Sequence, residues 1–164
     1  KTLPSDHIYV QRLMTEQPTL RYEGACNSTV TVNDVGSWSN GNATMTVAYL
    51  KLGCAGTSRV VHWHPEADEW GYVVSGEVLT YVASPDGLPW PVANNHLTRH
   101  GVWYFPRNWL HGFACISPEG CEAVLSFNTR LSVPVDNHNL DSTLAQAPAS
   151  VAAEALALST DEYK

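Results

Sequence analysis

Short runs of hydrophobic residues, interrupted by Gly, Asn and Pro, fill the central part of the chain. The runs are rich in Val, Tyr, Trp and Thr, which are typical of β-strands, and turn sequences such as Ser84-Pro85-Asp86-Gly87 separate them. The predicted strands are 45–52, 60–63, 72–74, 78–82, 102–105 and 123–127. Since no helical periodicity lies between them, the pattern predicts an all-β fold, either an antiparallel sandwich or a barrel.

The C-terminal part of the chain has a different pattern. The Ala- and Leu-rich stretch 147–158, with Pro148 near its start, predicts one short helix that packs on the barrel or on a second subunit. The preceding stretch 128–146 is polar and is interpreted as a long connection. We therefore divide the chain into an N-terminal arm (1–29), a barrel (30–130) and a C-terminal loop and helix (131–164). A sheet edge and this helix would give a homo-oligomer its contact surface.

Composition and charge narrow the function classes. The 164 residues, 44% of them hydrophobic and 15% charged, are typical of one folded domain. Nine Lys and Arg against 16 Asp and Glu give a net charge of -7 with no basic stripe, which argues against a nucleic-acid partner. Uncharged apolar stretches fall well short of the roughly 20 residues that a membrane-spanning helix needs, so we expect no membrane partner.

The four cysteines fit no zinc-binding spacing, which leaves disulfides or free thiols. Cys115 and Cys121 flank a turn-rich segment between two strand-like runs, where a hairpin would bring them within bonding distance. If that pair forms, Cys26 and Cys54 pair by elimination.

Asn27 and Asn42 each begin an N-x-S/T sequon in a polar stretch and are predicted glycosylation sites. Together with the even number of cysteines, they favour a secreted, extracellular protein. Under that interpretation Lys1 begins a mature form from which a signal peptide has been removed.

Candidate metal ligands cluster around one strand. His62 and His64 are two residues apart, so on a strand they point to the same face as a two-point chelate. Glu69 at the start of the next strand supplies an oxygen, and His111 at the entry of a later strand supplies a third imidazole. On an octahedral ion these four ligands leave two positions open, which suits Mn²⁺ or Fe²⁺, although copper, nickel and zinc also bind His.

The pattern Gly56-x5-His62-x-His64-x4-Glu69-x6-Gly76, followed by Pro106 and His111, resembles the two cupin motifs. The sequences of 62–70 and 104–109 are most similar to the oxalate decarboxylase, germin and spherulin group. The resemblance implies an antiparallel jelly-roll barrel with one divalent metal inside, Mn²⁺ by preference, held by His62, His64, Glu69 and His111. It also implies a small carboxylate as substrate, oxalate first, with dioxygen binding or reacting nearby.

Two positions depart from that group. Its decarboxylases place an Arg before the first motif to hold oxalate, and an ungapped match puts Leu52, next to Lys51, at that position. They also carry a proton-donating Glu in a lid, and 131–138 has none, which leaves Asp136 and His138 as candidate acid/base residues. Two other hypotheses therefore stay open: a non-catalytic metal-binding cupin of the spherulin or storage type, and a cupin dioxygenase acting on a flavonol or other enediol.

Other residues near the motifs have a structural interpretation. Aromatic residues on strands usually fill cores or interfaces, so we expect mainly packing from Trp63, Trp70, Trp103 and Trp109. A salt bridge between turns explains Asp68 and Arg107 as well as a catalytic role does.

Overall fold

The computed structural model describes residues 20–35, 45–85, 95–129 and 138–155. In these residues eleven strands form two antiparallel sheets, and two short helices follow the last strand. The first strands are β1 Leu20–Gly24, β2 Ser28–Val35, β3 Met45–Leu52, β4 Ser58–Trp63, β5 Glu69–Ser75 and β6 Val78–Ala83. The remaining elements are β7 His96–Leu97, β8 Val102–Phe105, β9 Leu110–Cys115, β10 Cys121–Phe127, β11 His138–Asn139, α1 Leu140–Ala145 and α2 Ala149–Ala155.

The two sheets face each other as in a jelly-roll barrel. One has six strands in the order β1-β2-β3-β10-β5-β8, and the other has five in the order β11-β4-β9-β6-β7. Every predicted strand lies within an observed strand, and a short C-terminal helix is present. The predicted all-β antiparallel fold is therefore confirmed.

Alternating burial shows which face of each strand is inside. Along β10, residues 121, 123, 125 and 127 are buried while the residues between them are half-buried. β3 alternates in the same way, and its Leu50 and Leu52 are 2% and 3% exposed. Phe113 of the opposite sheet is also buried, so the inward faces enclose one hydrophobic core. Removing each of these large side chains from water stabilises the fold by about 1.5–3 kcal/mol.

The ordered structure extends beyond the barrel that the sequence pattern outlines. β1 and the start of β2 precede residue 30, and β1 is the edge strand of the six-stranded sheet. α1 lies within the stretch that we interpreted as a connection. Its polar residues give no hydrophobic periodicity, but its Ser and Thr hydroxyls donate to the carbonyl of Asn139, and it packs against β4 and β11. Its stability therefore comes from local hydrogen bonds and tertiary contact.

Both predicted disulfides are present, and they lie at the same end of the barrel. Cys26 and Cys54 have Cα atoms 5.9 Å apart and join the β1–β2 turn to the β3–β4 loop. Cys115 and Cys121 have Cα atoms 5.7 Å apart and close the β9–β10 hairpin. All four cysteines of the chain are therefore bonded.

The predicted sequon at Asn42 lies outside the described residues. Asn27 is exposed and is the last residue of the 3-10 turn Ala25–Asn27 between β1 and β2, where its φ is 57°. Within the described residues, no helix has the length and apolar character needed to cross a membrane.

Candidate metal centre

Four buried side chains from both sheets meet at the barrel end opposite the disulfides. His62 lies near the end of β4, and His64 directly follows that strand. His111 lies near the start of β9, and Glu69 begins β5 in the other sheet. Each of the four is at most 2% exposed. The register brings them together, because β4 and β9 pair His62 with His111.

The ligand atoms of these residues surround a common point. One ligand atom from each of the four lies within 4.8 Å of the others. Glu69 Oε2 is 3.4 Å from His64 Nε2 and 3.5 Å from His111 Nε2. Neighbouring ligands of an octahedral ion with bonds of about 2.1 Å are about 3 Å apart, so small side-chain shifts suffice to bind a single cation.

Backbone carbonyls fix the orientation of two imidazoles. Nδ1 of His62 donates to the carbonyl of Val60 at 2.7 Å, and Nδ1 of His111 donates to the carbonyl of Trp109 at 2.8 Å. With the proton on Nδ1, the lone pair of Nε2 faces the shared centre, which is the tautomer that a metal needs. Around these rings, Phe105 stacks on His111 with ring centroids 4.4 Å apart and Phe127 packs edge-on against His64.

Trp103 holds the carboxylate of Glu69. Its Nε1 donates to Glu69 Oε1 at 2.9 Å, and both residues are buried. The indole ring occupies the space over Gly71, where a Cβ would overlap Trp103. Oε1 is therefore engaged with the indole, and Oε2 is directed at the imidazoles. The sequence pattern predicted packing for Trp103, and its hydrogen bond to a ligand becomes evident only in the register of β5 with β8.

The electrostatics of the cluster fit a cation. Burial, followed by the neighbouring His111, lowers the pKa of His62 to about 3, so its imidazole is neutral at physiological pH. Burial alone would raise the pKa of Glu69, but hydrogen bonding and attraction to His111 and His64 in their protonated forms outweigh it and hold this pKa well below the usual range, so positive charge at the centre favours the ionised carboxylate. Among the described residues, Glu69 Oε2 and His111 Nε2 are buried without a hydrogen-bond partner. A buried carboxylate oxygen and imidazole lone pair in that state are costly unless a cation neutralises them, so the donor set fits a divalent metal.

Comparisons with known proteins agree with this geometry. The cupin family model matches residues 11–164, which is most of the chain. The chain belongs to the cupin family. It is 36% identical to an oxalate decarboxylase of Arthroderma benhamiae over 73 residues, which are 44% of this chain and 16% of that protein.

Two solved structures share the cupin fold at low sequence identity. The oxalate decarboxylase of Lactobacillus farciminis, solved as a formate complex, superposes with a TM-score of 0.69 at 19% identity over 88% of this cupin and 40% of that chain. An oxalate decarboxylase of Bacillus subtilis, described with Mn(II) centres, superposes with a TM-score of 0.65 at 17% identity over 95% of this cupin and 40% of that chain. This cupin therefore spans less than half the length of each of these proteins.

The position expected for a substrate-holding arginine is apolar in this cupin, but β4, the next strand along the chain, carries an arginine. Leu52 is part of the hydrophobic core. The register of β4 with β9 shifts at a bulge between Arg59 and His62. As a result Arg59 lies opposite Phe113, which is 1% exposed. Partners in a sheet share a face, so half-buried Arg59 begins on the inward side of β4 and lines a cleft with residues of β2 and β3. Strict alternation from His62 would have turned Arg59 outward, which is why the sequence pattern missed it.

Of the two candidate acid/base residues, His138 is described by the structure, and it does not join the four ligands. Asp136 lies outside the described residues. His138 pairs with Trp63 in the sheet and stacks on its ring, with centroids 5.4 Å apart and planes 23° apart. Since Trp63 lies between two inward-facing histidines, it points to the opposite side of the strand. His138 is exposed on that outer side.

Proposed function

We propose that this cupin binds one divalent cation, Mn²⁺ by preference, through His62, His64, Glu69 and His111 and acts on a small carboxylate such as oxalate. The observation that carries the proposal is the buried cluster itself, in which Glu69 Oε2 lies within 3.5 Å of two imidazole nitrogens and accepts no hydrogen bond from the described residues. The names of the similar proteins, which are oxalate decarboxylases, and the Mn(II) centres of one of them support the choice of metal and substrate.

The protein's own residues have clear tasks under this proposal. Val60 and Trp109 keep two imidazoles in the metal-binding tautomer through their carbonyls. Trp103 engages one oxygen of Glu69 so that the other faces the centre. Phe105 and Phe127 surround the ligands with apolar surface, which excludes water and strengthens electrostatic interactions inside. When bound, a divalent cation with two open positions polarises a carboxylate and stabilises negative charge that develops on it.

A second candidate function is metal binding without catalysis. The outward position of His138 favours it, because this candidate proton donor faces away from the ligands. In that case the ion would serve mainly to stabilise the barrel, and removal of the metal would lower the melting temperature without loss of any turnover.

The test is oxalate consumption by Mn²⁺-loaded protein. Glu69→Gln removes the charged ligand, and Glu77→Gln is a matched control because Glu77 is a carboxylate outside the cluster that pairs with His96 at 2.8 Å. Turnover that is lost in Glu69→Gln and kept in Glu77→Gln is the expected result. Metal-loaded wild-type protein that leaves oxalate unchanged would contradict the catalytic proposal and favour the second candidate.

We also propose that the protein is extracellular and glycosylated. The support is that all four cysteines are in disulfides, which persist in oxidising compartments, and that Asn27 is exposed at a turn. A decrease in mass on treatment with an N-glycosidase, abolished in Asn27→Gln/Asn42→Gln, tests this proposal. If N-glycosidase leaves the mass of protein purified from its native source unchanged, the proposed glycosylation is contradicted.

A further inference from the structure

Asp68, which directly precedes Glu69, joins three chain segments at the metal end of the barrel. The backbone N–H of Arg107 donates to Asp68 Oδ1 at 2.9 Å. Nδ2 of Asn128 donates to Asp68 Oδ2 at 2.7 Å. Arg107 belongs to the β8–β9 loop, and Asn128 directly follows β10. One carboxylate therefore connects the entry of β5 to two other strand ends.

The link between Asp68 and Asn128 also involves the main chain. The N–H of Asp68 donates to Asn128 Oδ1 at 3.0 Å, and the N–H of Asn128 donates to the carbonyl of Asp68 at 3.4 Å. With both its main chain and its side chain bonded, Asp68 has little freedom to rotate. Because Glu69 is the next residue, the direction in which its side chain leaves the backbone is set at the same time.

The β8–β9 loop is bonded to the β4–β5 loop at a second point. The N–H of Asn108 donates to the carbonyl of His64 at 2.9 Å. Since β9 and His111 follow that loop, the bonds at Asp68 and His64 relate the position of His111 to those of Glu69 and His64. Three of the four proposed ligands thus depend on this pair of loops.

The chemistry of these contacts argues against a mainly stabilising salt bridge. The Arg107 guanidinium is 3.4 Å from Asp68 Oδ2, and its side chain is 55% exposed. Such an exposed ion pair contributes only about 0–1 kcal/mol to stability. The shorter hydrogen bonds from the Arg107 N–H and the Asn128 amide to the carboxylate are charge-assisted and directional, so they, more than the ion pair, hold the two loops in a fixed geometry.

We propose that Asp68 is a positioning residue of the metal centre, which sets the place of Glu69 relative to His64 and His111 through its hydrogen bonds to Arg107 and Asn128. The inference rests on the proposed metal binding. It assigns Asp68 no contact with the metal, because both carboxylate oxygens are directed at Arg107 and Asn128.

The test compares Mn²⁺ affinity in Asp68→Asn and wild type. In the substituted side chain an NH2 group replaces one carboxylate oxygen, so a donor faces either Arg107 N–H or Asn128 Nδ2, and one of the two hydrogen bonds is lost. We expect affinity for Mn²⁺, measured by calorimetric titration, to fall on the order of 10- to 100-fold. The zero-field splitting of bound Mn²⁺, read by electron paramagnetic resonance, should change, while the metal-free variant should still melt in one cooperative transition, which shows that the barrel remains folded. Glu77→Gln, the control carboxylate variant, should match wild type in all three measurements.

A residue exchange distinguishes hydrogen bonding from charge. Asn128→Asp alone places two carboxylates together and should weaken Mn²⁺ binding. The double variant Asp68→Asn/Asn128→Asp restores an amide facing a carboxylate and should recover affinity to within about threefold of wild type. Tighter binding by Asn128→Asp than by wild type would overturn the proposal, because it would show that negative charge near the site is what matters.

The two proposals fail in distinguishable ways. Wild-type protein that does not bind Mn²⁺ would overturn the proposed metal binding and this inference with it. Wild-type protein that binds Mn²⁺, while Asp68→Asn binds it with the same affinity and the same spectrum, would overturn the positioning role alone.

Discussion

The two ends of the barrel are held together by different chemistry. Strands β4 and β9 run through both ends, pairing His62 with His111 at one and Ser58 with Ala114 at the other. At the Ser58 end, two disulfides close the structure covalently. At the His62 end, three imidazoles and a carboxylate are buried together. His111 and Cys115 are four positions apart on β9, which is about 13 Å along an extended strand.

The disulfide end of the barrel contributes mainly stability, and the histidine end contributes the candidate metal site. Disulfides constrain the unfolded chain and hold without a ligand, so they suit a scaffold. A buried cluster of ionisable groups is unfavourable by itself and becomes favourable when a cation is bound. We therefore expect changes at the disulfide end to alter the free energy of unfolding, and changes at the histidine end to alter metal affinity.

Removal of the charged ligand, Glu69, should have the largest effect, which is on affinity for Mn²⁺. Glu69→Gln removes the only carboxylate of the described cluster, and breaking a buried charge pair in this way costs about 3–5 kcal/mol. Affinity for Mn²⁺ should fall about 1000-fold, measured by calorimetric titration. Both disulfides should form normally in this variant, as a thiol count will show. Binding within tenfold of wild type would mean that Glu69 is not a ligand.

Removal of a disulfide should have the second-largest effect, on stability alone. Cys26–Cys54 spans 28 residues and Cys115–Cys121 spans 6, so chain entropy predicts losses of about 3.5 and 2 kcal/mol, respectively. Paired Cys→Ser variants followed by urea unfolding will measure this order. Mn²⁺ affinity should change by less than threefold in both. A larger change in affinity would show that the two ends are coupled.

Acid should lower the free energy of unfolding of the metal-free protein through its buried histidine cluster. Burial and then His111 lower the pKa of His62 to about 3, whereas an unfolded histidine has a pKa near 6.5. Between these values the unfolded chain binds a proton that the folded chain does not, so stability falls as the pH falls below about 6.5. The loss should reach about 3 kcal/mol by pH 4, and the depressed pKa of Glu69 adds to the same trend at lower pH.

Urea unfolding of chelator-treated protein at pH 7 and pH 4 measures this dependence. His62→Gln should show a shallower dependence, because the substituted side chain does not titrate. Equal free energies of unfolding at the two pH values in the wild-type protein would contradict the lowered pKa of His62.

The smallest effect should come from Trp103→Phe. The variant keeps an aromatic ring over Gly71 but loses the hydrogen bond from Nε1 to Glu69 Oε1. Loss of a partner that orients a metal ligand typically weakens binding 10- to 100-fold, and the lower part of that range applies here because packing is preserved. Trp70→Phe is the matched control, because Trp70 lies on the same strand pair but is 44% exposed. Equal affinities of the two variants for Mn²⁺ would show that Trp103 does not orient Glu69.

The strands and the His62–His64 pair could be predicted from the sequence because each depends on local spacing, whereas the grouping of Glu69 and His111 with that pair followed from the resemblance to the cupin motifs. The i, i+2 pair of His62 and His64 follows directly from strand geometry, and the run that became β3 alternates regularly. The pairing of Cys115 with Cys121 is equally local, since only a short hairpin separates them.

The features that the sequence pattern missed depend on register or tertiary contact. The bulge in β4 turned Arg59 inward against the expected alternation. The bond from Trp103 to Glu69 needs the pairing of β8 with β5, and α1 is held by contacts with β4 and β11 that no local periodicity encodes. The stacking of His138 on Trp63 likewise results from pairing between strands that are distant in the sequence.

The most direct test of the central claim is pulsed electron paramagnetic resonance of the protein with one equivalent of Mn²⁺. The account predicts a single class of bound ion coupled to three imidazole nitrogens, with one coupling lost in each of His62→Ala, His64→Ala and His111→Ala. Mn²⁺ that shows no coupling to histidine nitrogen, or couplings unchanged in these three variants, would contradict it.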